Sequence, residues 1–219
     1  MKKQWTNIYS ADLPLRSWWV DSDNECEYVS IVLPEVFGLN NWIRNFSEKL
    51  AEQNVTVLAL PLYGRTAPNL DLAYSEQDLE LGRHHKNLTT LKDITEDVST
   101  AINWVKEKYP KKKIAIIGFC FGGHAALIAS SLKGIESSFC FYGAGVTAPR
   151  SDTNFAPIDM LEKVSGKLNF ICGSADDLIP LKDRLEIKNA DHGFMCEERD
   201  SFDKDASLIG WNLLMKEFN

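Results

Sequence analysis

The stretch Ile114 to Ala126 reads I-A-I-I-G-F-C-F-G-G-H-A-A and decides the fold. Its four leading apolar residues predict a buried strand, and the small residues after Gly122 are compatible with a helix. The turn between them has the form G-x-S-x-G with Cys120 in the serine position. In such a turn the central residue is held in a strained conformation above the sheet edge, and its flanking glycines avoid a clash. The pattern therefore predicts that Cys120 presents its thiol for reaction.

Two interpretations of Cys120 follow from this turn. At the N-terminus of a helix, a thiolate is favoured by the helix dipole and by free N–H groups, so the residue can serve as a nucleophile. Alternatively, Cys120 is a glycine-flanked core residue, because free cysteines are among the most buried side chains. The rest of the chain must decide between them.

Length and composition restrict the class of protein. The chain has 219 residues, 44% of them apolar, which predicts one globular α/β domain over residues 1–219. A net charge of −7 argues against a nucleic-acid partner, which requires a basic surface. There is no apolar run near 18 residues, so we expect no membrane partner. Two lysines follow Met1 without an apolar segment behind them, so we expect no secretion signal.

The cysteines and histidines indicate neither a disulfide framework nor a metal. An odd number of cysteines is spread along the chain, at Cys26, Cys120, Cys140, Cys172 and Cys196. Without a C-x-x-C pair or a His/Cys cluster, we expect no zinc and no other cofactor. The pair His84-His85 has no carboxylate or cysteine at ligand spacing, so solvated side chains are expected there. A reducing cytoplasm is the expected compartment.

Apolar segments alternate with helical patterns along the chain. An antiparallel ribbon is expected over residues 4–20, and strands at 28–33, 55–60, 114–117, 137–142, 167–172 and 185–188. Helices are expected at 42–53, 91–109, 121 to about 133 and 203–218, with a short one near Met160. We expect a long irregular segment from Tyr63 to Asn87, and such segments are usually functional or mobile. Together these elements predict a mostly parallel central sheet with helices on both faces.

Polar residues follow several of these strands directly. Glu35 comes two residues after the strand at 28–33, at the edge where open α/β sheets place their sites, although a solvated loop glutamate is also possible. Asp176 lies just beyond the strand at 167–172, and His192 follows the last strand. A nucleophile, an acid and a histidine in this chain order are typical of the α/β-hydrolase fold.

The chemistry assigns each of these residues a role. His192 would accept the thiol proton of Cys120 and later donate it to the leaving alcohol. Asp176 would fix the imidazole tautomer and stabilise its charged form. The backbone N–H groups of Phe121 and Val36 would stabilise the developing oxyanion.

Several motifs carry a resemblance to a known family. They are L-P-E-V-F-G-L-N at 33–40, L-Y-G-R at 62–65, G-F-C-F-G-G at 118–123, G-S-A-D-D-L-I-P at 173–180 and D-H-G-F at 191–194. In these motifs the chain resembles the dienelactone hydrolase family of carboxymethylenebutenolidase-like α/β-hydrolases. The resemblance implies a hydrolase of cyclic or activated esters with Cys120, Asp176 and His192 as catalytic triad and without a metal or organic cofactor. It also implies that Glu35 pairs with the thiol when no substrate is bound and helps to form the thiolate.

The chain departs from the family between the acid and the histidine. Only fifteen residues separate Asp176 from His192, about half the usual interval, and Pro180 to Arg184 is too short for a crossover helix. The last strand is then reached by a tight loop, or the sheet edge is open and pairs with a second subunit. With this connection shortened, Asp177 or Asp191 could replace Asp176 as the acid.

A second departure concerns substrate binding. Family members that hydrolyse dienelactone hold its free carboxylate with arginines, one of them four places after the histidine. Cys196 occupies that position here, and Arg199 is the nearest arginine. Arg65, Arg83 and Tyr63, all from the long segment, are the substrate-binding candidates.

These observations predict hydrolysis of a small carboxylic ester or lactone, dienelactone-like, through a cysteine nucleophile and an acyl-enzyme. The alternative is a non-catalytic or redox-sensitive thiol protein on the same fold. No serine lies in a glycine-flanked turn of this kind, so a serine nucleophile is not expected.

Overall fold

A mixed, mostly parallel sheet forms the centre of the molecule. The computed structural model describes residues 1–22, 26–164, 166–179 and 190–218, and the backbone of 186–187. The strands are β1 (Lys2–Ser10), β2 (Leu13–Asp21), β3 (Tyr28–Leu33), β4 (Thr56–Ala59), β5 (Lys113–Phe119), β6 (Ser137–Phe141), β7 (Lys167–Gly173) and β8 (Glu186–Ile187). Within the described residues their order is β1-β2-β4-β3-β5-β6-β7-β8. β1 and β2 form an antiparallel ribbon, β2 runs antiparallel to β4, and all other neighbours are parallel.

The central strands are buried on both faces, which their continuous apolar sequences predict. Every residue of β3 is buried, and so is every residue of β5 after Lys113. Successive side chains point to opposite faces, so Ile31 and Val32 belong to different core clusters. The predicted α/β architecture with a covered parallel sheet is therefore confirmed.

Helices cover both faces of this sheet. α1 (Asn41–Glu52) and α5 (Lys204–Phe218) pack on one face, and α3 (Leu91–Lys108) and α4 (Phe121–Ala129) on the other. Asn40 caps α1 by accepting a hydrogen bond from the N–H of Ile43 at 3.2 Å. These four helices agree with the predicted ones, except that α4 ends four residues earlier than expected.

The prediction of a long irregular segment after Tyr63 was wrong in its second half. Residues Glu76–Leu88 form a helix, α2, whose N-terminus is capped by the Ser75 hydroxyl. Gly82 is its one buried residue among those described, so the apolar stripe that marks a packed helix is missing. A Cβ at Gly82 would overlap the carbonyl group of Val36, and α2 therefore approaches the loop after β3 very closely.

The remaining predictions concern short elements. A 3₁₀ helix over Pro157–Lys163 includes Met160, where a short helix was expected. β8 lies inside the predicted strand at 185–188 and pairs in parallel with β7. The expected tight connection at Pro180 to Arg184 lies outside the described residues. Among the described residues, no helix is both long and apolar enough to cross a membrane.

Candidate active site

Cys120 occupies a sharp turn between β5 and α4. Its φ is +53°, a left-handed conformation that residues other than glycine rarely adopt, and its own N–H donates to the carbonyl of Phe141 at 3.0 Å. A Cβ at Gly118 would overlap the backbone of Gly122, and one at Gly122 would overlap the carbonyl of Leu33. The strand, turn and helix predicted from the sequence are present, and glycines are required on both sides of the cysteine.

His192 is oriented by a buried carboxylate. Its Nδ1 lies 2.9 Å from Oδ2 of Asp176, which is 0% exposed, and Oδ1 of Asp176 accepts from the N–H of Leu178. Asp177 and Asp191 are exposed, and Asp191 accepts from the backbone N–H of His192 and not from its ring. Of the three acids considered, the structure brings Asp176 to the imidazole.

Backbone contacts hold the loops of Asp176 and His192 together. The N–H of Ala175 donates to the carbonyl of Ala190 at 2.9 Å. A Cβ at Gly173 would overlap that same carbonyl, so only glycine permits the approach. The acid and the histidine are thus positioned by a direct contact between their two loops.

The protonated form of His192 is stabilised by its neighbours. Burial alone would lower its pKa, but the charge on Cys120, hydrogen bonds to Asp176 and Cys120, and the charge on Asp176 raise the pKa to about 10. The two neighbouring groups therefore stabilise the positive charge on the protonated imidazole of His192.

Glu35 is a buried carboxylate paired with an arginine that the sequence did not single out for catalysis. Its side chain is 1% exposed, and its Oε1 accepts from Nη1 of Arg199 at 2.8 Å. The other oxygen, Oε2, has no hydrogen-bond partner in the described part of the chain. The guanidinium lies directly over Gly193, whose φ of +89° and missing Cβ leave space for it. Burial lowers the pKa of Arg199, but Glu35 and Cys120 outweigh this and raise it.

The two expected oxyanion donors lie at the start of α4 and in the loop after β3. Phe121 is the first residue of α4, where N–H groups have no partner within the helix. Val36 directly follows Glu35, and both Val36 and Phe121 are buried.

Two tyrosines complete the walls of the site. Tyr63 is buried and stacks on Phe121, with ring centroids 6.0 Å apart and planes at 9°. Burial, and after it the charge on Cys120, raise the pKa of Tyr63 well above its usual value. Tyr142 contacts His192 edge-on, with centroids 5.2 Å apart. It was missed in the sequence because it ends an apolar strand and looks like a core residue.

The structure does not bring the predicted substrate-binding arginines to Cys120. Arg65 pairs with three carboxylates of α3, at 2.8 Å to Asp93, 3.2 Å to Glu96 and 2.8 Å to Asp97. Its charge is already compensated there, so we do not retain it as a substrate-binding residue. Arg83 lies exposed on α2.

The sequence predicts that His84 and His85 are both solvated. His84 is exposed, as expected, whereas His85 is only partly exposed. The ring of His85 lies 6.0 Å from that of Tyr63, and its Nδ1 lies 3.2 Å from Oγ1 of Thr66. Within the described ranges, no group of three or more His, Cys, Asp or Glu side chains could hold a metal ion.

The strand order, with its reactive turn at the end of the central strand β5, is that of an α/β-hydrolase. A solved structure from Klebsiella pneumoniae, titled "Putative Dienelactone Hydrolase", superposes with a TM-score of 0.84 at 19% identity and covers 99% of this chain and 98% of its own. A dienelactone hydrolase from Anabaena variabilis superposes with a TM-score of 0.66 at 15% identity, over 99% of this chain and 96% of its own.

Sequence comparison gives the family. The model of the dienelactone hydrolase family matches residues 16–219, and the chain belongs to this family. A relative from Synechocystis sp., named "Putative carboxymethylenebutenolidase", is 30% identical over 208 residues, which cover 87% of this chain and 85% of the relative. The chain is therefore a carboxymethylenebutenolidase-like hydrolase.

Proposed function

We propose that this hydrolase cleaves a small carboxylic ester or lactone with Cys120 as its nucleophile. The observation that carries the proposal is the buried contact between Asp176 and His192, together with the strained turn that places Cys120 at the start of α4. A thiolate, a proton donor and a fixed orienting carboxylate are the groups that acyl transfer requires.

The first half of the reaction forms a thioester. Sγ of Cys120 attacks the carbonyl carbon of the substrate, and the N–H groups of Phe121 and Val36 bind the developing oxyanion. When the tetrahedral intermediate collapses, the carbon–oxygen bond to the leaving group breaks and His192 donates its proton to that oxygen. In a lactone the released alcohol remains attached to the acyl group.

The second half hydrolyses the thioester. His192 takes a proton from a water molecule, whose oxygen attacks the thioester carbonyl. The carbon–sulfur bond then breaks, which regenerates the thiolate of Cys120 next to the imidazolium. Asp176 keeps the Nδ1 proton in place through both halves.

Glu35 and Arg199 support this chemistry from the other side of the sulfur. Arg199 compensates the charge of Glu35, and Oε2 of Glu35 is left as an acceptor close to the site. We propose that this oxygen accepts a hydrogen bond from the Cys120 thiol when no substrate is bound and helps to form the thiolate. We further propose that Arg199, whose charge interacts with Cys120, and not Arg65, whose ion pairs are with α3, is the arginine that meets a free carboxylate of the substrate. A relative from Bradyrhizobium, 25% identical, is named "Probable 2-oxo-3-(5-oxofuran-2-ylidene)propanoate lactonase", which supports a lactone substrate.

Replacement of Cys120 tests the nucleophile. Cys120→Ala should abolish turnover of p-nitrophenyl acetate, measured as p-nitrophenolate release, with circular dichroism unchanged. Cys120→Ser should keep only a small residue of activity because serine is much less acidic. Cys26, a partly exposed thiol before β3 at the opposite end of the sheet, provides the control, and Cys26→Ser should behave as wild type.

A thiol reagent separates the enzyme from the redox alternative. Iodoacetamide should block ester turnover of the wild type in step with alkylation of Cys120. If wild type releases no nitrophenolate while Cys120 is alkylated rapidly, the hydrolase proposal fails and a reactive non-catalytic thiol remains. Full activity of Cys120→Ala would equally refute the nucleophile.

A further inference from the structure

Seven buried side-chain polar atoms have no hydrogen-bond partner among the described residues, and three of them belong to residues that follow β3, β4 and β6, the strands near Cys120. Among the described side chains, Oε2 of Glu35 and the hydroxyl groups of Tyr63 and Tyr142 are buried and make no hydrogen bond. A buried polar group without a partner is costly, so native structures seldom retain one unless it has a function. Neither Glu35 nor Tyr63 needs a new explanation, because both already belong to the proposed site. Tyr142 has no assigned role.

The topology places Tyr142 next to the nucleophile. β5 lies between β3 and β6 in the sheet, with neighbouring strands about 4.8 Å apart. Cys120 follows β5, Glu35 follows β3, and Tyr142 directly follows β6. Glu35 and Tyr142 therefore follow the two strands that lie on either side of β5.

The ring of Tyr142 is held rigidly. It packs against His192 at 5.2 Å, Phe194 at 5.4 Å and Phe119 at 6.0 Å between centroids. Its backbone N–H donates to the carbonyl of Ile171 at 2.6 Å, and its φ is +39°, which is strained for a residue with a side chain. Strain of this kind persists where a fixed side-chain position serves a function.

The hydroxyl of Tyr142 can act only as a neutral group. Burial, followed by the negative charges of Glu35 and Cys196, raises its pKa well above the usual value, and the opposite effect of Arg199 is smaller. The hydroxyl keeps its proton throughout the neutral range and is available as a donor. The ester group of an ester or lactone has oxygen atoms that accept hydrogen bonds and no donor of its own, so one of these oxygens can accept from the hydroxyl of Tyr142.

We infer that Tyr142 is a catalytic residue whose hydroxyl donates a hydrogen bond to an oxygen atom of the bound substrate. This inference rests on the proposed ester hydrolysis. It makes Tyr142 a third donor in the site, besides the N–H groups of Phe121 and Val36. The substrate atom that accepts this hydrogen bond is either an oxygen of the ester group itself or an oxygen elsewhere in the acyl chain.

The variant Tyr142→Phe removes the hydroxyl and keeps the ring contacts. We expect kcat/KM for activated esters to fall about tenfold, the effect of one lost hydrogen bond of ordinary strength. The melting temperature should stay the same or rise, because no protein contact is lost. Tyr28→Phe is the matched control: its hydroxyl donates to Glu217 at 2.8 Å, at the far end of β3. This control should lower the melting temperature and leave kcat/KM unchanged.

Two esters of equal size identify the acceptor. p-Nitrophenyl methoxyacetate has an ether oxygen where p-nitrophenyl butyrate has a CH₂ group in the acyl chain. To correct for the different intrinsic reactivity of the two esters, each enzymatic rate is divided by the rate of hydrolysis of the same ester by hydroxide. An equal loss on both esters assigns the hydrogen bond to the ester group, and a larger loss on the methoxyacetate assigns it to the acyl chain. Either result supports the inference.

Two other results would contradict the proposed role of Tyr142. If Tyr142→Phe keeps wild-type kcat/KM on both esters, or loses activity only together with a lowered melting temperature, the inference is wrong and Tyr142 is structural. Such results leave the proposed function intact because the wild type still turns over. A wild type that hydrolyses neither ester refutes the proposed function and this inference together.

Discussion

Replacing Arg199 by methionine should destabilise the protein strongly. The charges of Arg199 and Glu35 are 2.8 Å apart, which corresponds to roughly 6 kcal/mol of attraction at an effective dielectric constant of about 20. That attraction offsets the cost of removing both groups from water. With the arginine gone, Glu35 stays 1% exposed without a counter-charge, and such a broken pair costs about 3–5 kcal/mol.

The assay is urea denaturation of wild type and Arg199→Met at pH 8. We expect the loss to be about 3–5 kcal/mol. A double variant, Glu35→Gln with Arg199→Met, should recover most of the loss at pH 8.

An exposed arginine supplies the control for this experiment. Arg83→Met should change the free energy of unfolding by less than about 0.5 kcal/mol at pH 8. A loss below about 1 kcal/mol for Arg199→Met, or a double variant that recovers none of the loss, would refute the reasoning about the buried pair.

Two further predictions concern residues with separate roles. Arg65→Met should lower the free energy of unfolding by about 2 kcal/mol in urea, because Asp97, 2% exposed and hydrogen-bonded to Arg65, loses its partner. It should leave kcat/KM of the folded protein unchanged, and a lost activity would restore Arg65 as a substrate-binding residue. The raised pKa of His192 means that the fold binds this proton more tightly than the unfolded chain does. The stability it contributes is full below about pH 6.5 and is lost as the pH rises towards about 10. The stability advantage of wild type over His192→Asn should therefore be at least about 1.4 kcal/mol larger at pH 6 than at pH 10.5, and an equal advantage at both would contradict the assignment.

The fold was predictable where local sequence determines structure. The turn at Cys120 was identified because its flanking glycines are a steric requirement that any sequence with this turn must meet. The buried strands were identified because parallel strands covered on both faces are continuously apolar. Helix α2 was missed because it buries Gly82 and no apolar stripe, so its periodicity resembles that of a solvated loop.

In the candidate site, only the residues that directly follow predicted strands could be predicted from the sequence. Asp176, Glu35 and His192 all follow strands, and the parallel sheet brings those ends to one edge. The pairing of Arg199 with Glu35 spans 164 positions and depends on how the chain crosses Gly193, which no local pattern encodes. The pairing of Arg65 was not predictable for the same reason, since its carboxylate partners lie on α3, a contact set by tertiary packing.

The direct contact between the loops of Asp176 and His192 has a consequence for protein engineering. A carbonyl of Ala190 held by Ala175, and a glycine at 173 that admits it, set the spacing of acid and base. The relative position of the two side chains is therefore anchored by backbone atoms, which changes in nearby side chains leave in place. Position 173 is the exception, because any side chain there would overlap the Ala190 carbonyl and push the two loops apart.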